Sequence, residues 1–246
     1  MKHELNIMSI WEAETKALSF LQRLFFRRPK ATPKPLTTPK VIGEECNGIM
    51  LGGKKVKSLL FSTDMAIIEN NDADAILAVY PFAPSPKIME VLINFSDKPV
   101  ICGVGGGLTQ GKVAMEMAIQ AEALGAAAII VNQPFKNKDI ASIRKKIKIP
   151  IISSVSIADF SFQDRVDAGV DIFHITGGKN TDKILEHISY AVPGYPIMAT
   201  GGKSLESIQN AINSGADAIV LNPPTSGELF KSIMDGYRKG LDYLRH

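Results

Sequence analysis

Past residue 45 the chain repeats a single pattern: a short apolar run, a glycine-rich or polar break, then a stretch of helical period. Four runs open on small or acidic residues, at Asp72-Ala73-Asp74-Ala75-Ile76, Gly125-Ala126-Ala127-Ala128-Ile129, Gly169-Val170-Asp171-Ile172-Phe173 and Gly215-Ala216-Asp217-Ala218-Ile219. Three open on proline, at Pro99-Val100-Ile101, Pro150-Ile151-Ile152 and Pro196-Ile197-Met198, and Val56 to Ser62 supplies the first in chain order. Each is nearly all apolar and ends in Gly, Ser, Thr, Asn or Pro, which predicts parallel strands buried on both faces. Between them, Val113, Met117, Ala121 and Leu124 form one helical stripe and Leu205, Ile208 and Ile212 another. Alternating strands and helices require right-handed crossovers, and eight such units in about 190 residues predict a closed (β/α)8 TIM barrel. The rival is an open doubly wound sheet. No Gly-x-Gly-x-x-Gly follows the first strand, and Gly103-Val104-Gly105-Gly106-Gly107-Leu108 fails that template at its last position.

Ahead of the barrel, Ile10, Trp11, Ala17, Leu18, Leu21, Leu24 and Phe25 recur at helical intervals, with Ser9 and Glu12 placed as a capping box. Pro29, Pro33, Pro35 and Pro39 then preclude regular helix. The domain reading is an amphipathic helix over 1–28, a Pro-rich linker over 29–45 and the barrel over 46–246. Trp11, Leu18, Leu21 and Phe25 form an apolar stripe that needs a cover. Protein contact, and with it a homo-oligomer, is favoured over a membrane surface reached through Arg23, Arg27 and Arg28, because Glu4, Glu12 and Glu14 would be repelled by an anionic bilayer.

Composition narrows the setting. Residues 1–40 hold eight basic side chains against three acidic ones, a balance of +5 that leaves −2 for the rest of a chain of formal charge +3. The barrel itself therefore carries no nucleic-acid footprint. Cys46 and Cys102 have neither disulfide density nor metal-ligand spacing, so a reducing, cytoplasmic setting is expected, and no run approaches the roughly 18 apolar residues of a membrane span.

In such barrels chemistry comes from the loops that follow the strands. These loops offer Asp64, then Tyr80, then Gly105 to Gly107, then Asn132 and Gln133. Next come Ser153, Ser154 and Asp159; His174, Thr176, Gly177, Gly178 and Lys179; Thr200, Gly201, Gly202 and Lys203; and Asn222, Thr225, Ser226 and Gly227. Glycines there bring backbone N–H groups close to a ligand, so Gly177, Gly178, Gly201, Gly202 and Lys203, with a helix starting near Thr225, are expected to converge on a phosphate or carboxylate. The partner predicted is a small anionic metabolite.

Pro196-Ile197-Met198-Ala199-Thr200-Gly201-Gly202-Lys203 followed by Gly215-Ala216-Asp217-Ala218-Ile219-Val220 resembles the seventh and eighth units of the phosphate-binding barrels, among them thiamine-phosphate synthase, the acylmannosamine-phosphate epimerases and the keto-deoxy-phosphogluconate aldolases. The local resemblance covers about 30 residues and the architecture about 190. It implies a phosphate held by Gly201, Gly202 and the loop after the eighth strand. There the chain departs from the pattern, with Leu221-Asn222-Pro223-Pro224 where those families place Gly-Ser or Gly-Thr, leaving Thr225, Ser226 and Gly227 as donors.

Among ionisable groups, His174 is the only histidine placed on a strand, opposite in parity to Phe173 and Ile175, and it is the candidate general acid or base. Asp64 is its candidate carboxylate partner, with helix capping as the competing role. No strand interior holds a lysine, so a Schiff-base aldolase is rejected; Lys179 and Lys203 read as anion-pairing groups. No metal cluster and no cofactor is expected. The function predicted is isomerase, epimerase or lyase chemistry by proton transfer. The alternatives are a non-catalytic ligand-binding or sensor barrel and, more weakly, a hydrolase or an FMN-binding barrel.

Overall fold

A computed structural model describes residues 36–238. The predicted N-terminal helix lies outside them. After α1 (Lys40–Glu45), β1 (Ile49–Leu51) and β2 (Lys54–Val56) form an antiparallel hairpin. The strands that follow are β3 (Ser58–Phe61), β4 (Ala75–Ala78), β5 (Val100–Gly105), β6 (Ala128–Asn132), β7 (Ile151–Val155), β8 (Ile172–Ile175), β9 (Ile197–Thr200) and β10 (Ala218–Leu221). They close in the order β10-β3-β4-β5-β6-β7-β8-β9, every pair parallel. Between and after them come α2 (Met65–Glu69), α3 (Pro86–Phe95), α4 (Gly111–Leu124), α5 (Asn137–Arg144), α6 (Phe162–Asp167), α7 (Thr181–Ala191), α8 (Leu205–Asn213) and α9 (Ser226–Arg238). The chain is a (β/α)8 barrel, as the repeat requires.

Two features depart from the sequence reading. Residues 40–45 fall in the stretch assigned to linker yet form α1, which starts directly after Pro39 and buries Ile42; proline stops a helix interior but not a helix that begins beyond it. The run from Val56 is split: Val56 ends the hairpin and the barrel strand starts at Ser58.

Side chains alternate between two cores. Leu59, Leu77, Ile101, Ile130, Ile152, Ile172 and Met198 fill the barrel interior, together with Ile49, Leu51 and Val56 of the hairpin, which therefore plugs its N-terminal end. The residues of opposite parity, such as Val131 and Phe173, pack under the helices. The repeated aspartates act at that same N-terminal end. Asp74 Oδ2 accepts the N–H groups of Lys57 and Ser58, Asp171 Oδ2 that of Ile151 and Asp217 Oδ2 that of Ile197. Each satisfies the otherwise unpaired start of a neighbouring strand.

Candidate active site

The C-terminal mouth of the barrel holds a cavity of about 550 Å³. Its floor is Leu77 and Ile130; its walls are the loops at Tyr80–Pro84, Gly103–Thr109 and Ile130–Pro134, with Ser154, Ser156, His174 and Thr176 completing the rim. No Asp, Glu, Lys or Arg lines it. What it offers is hydrogen-bonding capacity: the amides of Asn132 and Gln133, the hydroxyls of Ser154, Ser156 and Thr176, and the glycine-rich backbone at the end of β5.

Gly106 is held to glycine by this arrangement. Its φ is +154°, and a Cβ there would fall 1.4 Å from Asn132 Oδ1. The amide of Asn132 thus lies flat against the Gly106 backbone, and any side chain would drive it from the cavity wall.

His174 points inward, sharing parity with Ile172 of the interior core, while Phe173 and Ile175 pack under the helices. It is 5% exposed. One ring nitrogen, Nε2, lies 3.2 Å from Thr200 Oγ1, and the other, Nδ1, has no protein partner. Burial without a countercharge penalises the imidazolium and lowers its pKa to about 4. The ring is therefore neutral at physiological pH, with one nitrogen fixed by Thr200 and the other uncommitted.

Asp64 is not among the residues lining the cavity. It caps α2, Oδ1 accepting from Ala66 N (2.9 Å) and Ile67 N (3.3 Å), and Oδ2 accepts a hydrogen bond from the Ser226 hydroxyl. The Ser226 hydroxyl, followed by the two backbone donors, holds its carboxyl below the usual carboxylate range. The cap engages Oδ1 and Ser226 engages Oδ2, and of Asp64 and His174 only His174 lines the cavity.

None of Gly177, Gly178, Gly201, Gly202, Lys203, Thr225, Ser226 and Gly227 lines the cavity either. The Gly201 N–H is committed to Val220 O at 3.0 Å, and a Cβ on Gly201 would meet Ile219 at 2.6 Å and Ile208 at 2.9 Å. This is a packing glycine. Gly177 is likewise pressed on Ile184, while Gly178 and Gly202 take positive φ to turn the chain. At the start of α9, Glu228 Oε2 accepts from both Thr225 N and Thr225 Oγ1 at 2.8 Å. With the Glu228 N–H donating back to Thr225 Oγ1 at 3.2 Å, this is a capping box that commits Thr225 and Glu228 to each other. Gly201→Ala is expected to destabilise the fold by about 1–3 kcal/mol through overpacking, read from urea unfolding; a neutral result would mean that Ile208 and Ile219 give way.

No protein-family model and no curated sequence matches the chain. Solved structures do share its fold. One is a phosphoenolpyruvate phosphomutase from Streptomyces platensis subsp. rosaceus, with 13% identity over 75% of this chain and 82% of that one at a TM-score of 0.59. Another is a phosphonopyruvate hydrolase in complex with oxalate and Mg++, with 15% identity over 74% and 82% at 0.57. A third is a 2,3-dimethylmalate lyase of the PEP mutase/isocitrate lyase superfamily, with 13% identity over 83% and 89% at 0.57. At such identities the likeness is one of fold. These three are of other kinds than the barrels that the seventh and eighth units resemble.

A dication of the kind bound in that hydrolase finds no carboxylate ligand in the lining of this cavity. The cavity lacks carboxylates, and among the described residues no group of three or more His, Cys, Asp or Glu could hold a metal ion. Nor is any helix among the described residues long and apolar enough to cross a membrane.

Proposed function

We propose that the protein is an enzyme of isomerase, epimerase or lyase type that acts on a small carboxylated or phosphorylated metabolite in the cavity at the barrel mouth, with His174 as the group that moves the proton. The observation that carries this reading is a buried imidazole at the cavity, with Nε2 against the Thr200 hydroxyl and Nδ1 without a hydrogen-bond partner among the described residues. A neutral imidazole accepts a proton from carbon only if the product imidazolium is stabilised, and a bound anion supplies the countercharge that the lining residues lack. Asn132 and Ser154 line the same space and carry groups that can donate to a developing oxyanion. Phosphoenolpyruvate, phosphonopyruvate and 2,3-dimethylmalate, named for the three barrels of similar fold, are small carboxylates, and this supports the substrate class.

The test is hydrogen exchange. In D2O, small 2-oxo and 2-hydroxy carboxylates and their phosphate esters are followed by NMR. Deuterium is expected to enter one of them with wild-type protein, and His174→Asn is expected to slow that entry by about 100-fold or more. Retained exchange in His174→Asn would remove the assignment. The absence of formal charge from the lining favours a second reading, a barrel that binds its ligand without turnover. Ligand-induced stabilisation of the wild type with no exchange would select it.

A further inference from the structure

The cavity has no charge on its surface, but a buried charge lies directly behind its wall. Arg165 of α6 is 2% exposed. Its Nη2 donates to the backbone carbonyl of Gln133 at 2.6 Å, and its guanidinium lies 5.3 Å from the centre of the Phe160 ring. Among the described residues, Nε and Nη1 have no hydrogen-bond partner and no carboxylate stands within ion-pairing distance. Arginine does not escape burial by losing its proton, so the positive charge stays. Arg144 shows how this fold treats an arginine that only braces structure. It pairs with Asp171 at 2.8 Å and also donates to the carbonyls of Ile147 and Ile149. Arg165 has no such compensation, and an unpaired buried charge is among the costliest features a core can hold.

Its position explains what the charge can act on. Gln133, whose carbonyl it holds, lines the cavity, and Gln133 Oε1 in turn accepts from the N–H (3.0 Å) and hydroxyl (3.2 Å) of Ser156, another lining residue. Arg165 thus ties α6 to the loop after β6, and the Gln133 side chain ties that loop to the one after β7 at one edge of the cavity. Ser153, in register with Val131 and Phe173 on the helix-facing side of the barrel, has a hydroxyl that is also unpartnered among the described residues. A solvent molecule would complete these hydrogen bonds and leave the charge.

We infer that Arg165 is a positioning residue that gives the charge-free cavity a positive end at the Gln133–Ser156 edge and so makes it selective for an anion. The inference rests on the cavity being the ligand site and gives the ligand's charge a source within this chain. In the low dielectric behind the wall the guanidinium acts without the screening that weakens surface lysines.

Oxalate and its neutral diamide, oxamide, have the same size and shape, and their binding to the full chain by calorimetry separates charge from fit. Wild type is expected to bind oxalate at least about tenfold tighter than oxamide. Arg165→Met is expected to lose at least about tenfold in oxalate affinity with oxamide unchanged, and Arg165→Lys to keep the preference. Arg165→Gln, which keeps a donor for the Gln133 carbonyl, provides a second neutral variant should Arg165→Met not fold. Equal losses for both probes in either neutral variant would make Arg165 a structural brace only and overturn the inference. So would a wild type that binds oxalate no better than oxamide, or not at all. Failure of this kind is distinct from failure of the His174 reading, which is judged by deuterium entry in the wild type and its loss in His174→Asn.

Discussion

Between pH 6.5 and pH 4 the protein is expected to lose about 3 kcal/mol of folding stability through His174 alone. The folded-state pKa is depressed from 6.5 to about 4 by burial. In that window the unfolded chain binds a proton that the folded chain refuses, so stability rises with pH there. The contribution is fully present above pH 6.5 and is lost as pH falls to 4, after which it is constant. Carboxylates titrate over part of the same range, so the measurement is a difference: urea unfolding of wild type and His174→Gln from pH 4 to pH 7.5. The wild type is expected to lose about 3 kcal/mol more than the variant on going from pH 7.5 to pH 4. Parallel curves would mean that His174 is hydrated in solution, and the argument for a neutral, uncommitted imidazole would fall with it.

The inward orientation of His174 illustrates how far a sequence speaks. Parity along Phe173-His174-Ile175 divides the residues into two sets, and only the neighbouring strands decide which set faces the axis. The barrel was legible for a related reason: every strand is an apolar run bounded by turn residues, and the repeat leaves few other ways to bury them. The location of the cavity was not. Gly201 looks the same in sequence whether its missing Cβ admits a phosphate or admits Ile208 and Ile219, and here the contacts are to the isoleucines. Asp64 could cap or catalyse, and the choice depends on Ser226, 162 residues away. Asn132, Gln133, Ser154 and Thr176 all appear among the strand-end residues, but nothing local to them marks which loops stand apart to leave a cavity. Arg165 stands in a segment rich in charge, and nothing local to it marks it as buried. Its burial arises only when α6 lays it across the end of β7 toward Gln133.

The hairpin ahead of the barrel carried a signal that the apolar pattern of the strands overshadowed. Ile49 and Leu51 alternate with exposed Met50, and Gly52-Gly53 supplies a two-residue connection in which both residues take positive φ, +55° and +75°. Such a connection favours a tight turn whose twist matches the strands it joins. Its consequence is structural: Leu51 is fully buried among the interior residues at the N-terminal end. Leu51→Ala is expected to destabilise the protein by about 2–5 kcal/mol, from lost transfer energy plus the cavity left in a closed barrel that cannot collapse around it. The hairpin is at the end of the barrel remote from His174, so the affinity for any ligand that stabilises the wild type is expected to be unchanged once the variant is folded. Urea unfolding measures the first effect and calorimetric titration below the unfolding transition the second. A cost under about 1 kcal/mol would show that the plug is dispensable for closure, and weakened ligand binding in a fully folded Leu51→Ala would show that the two ends of the barrel are coupled through its core.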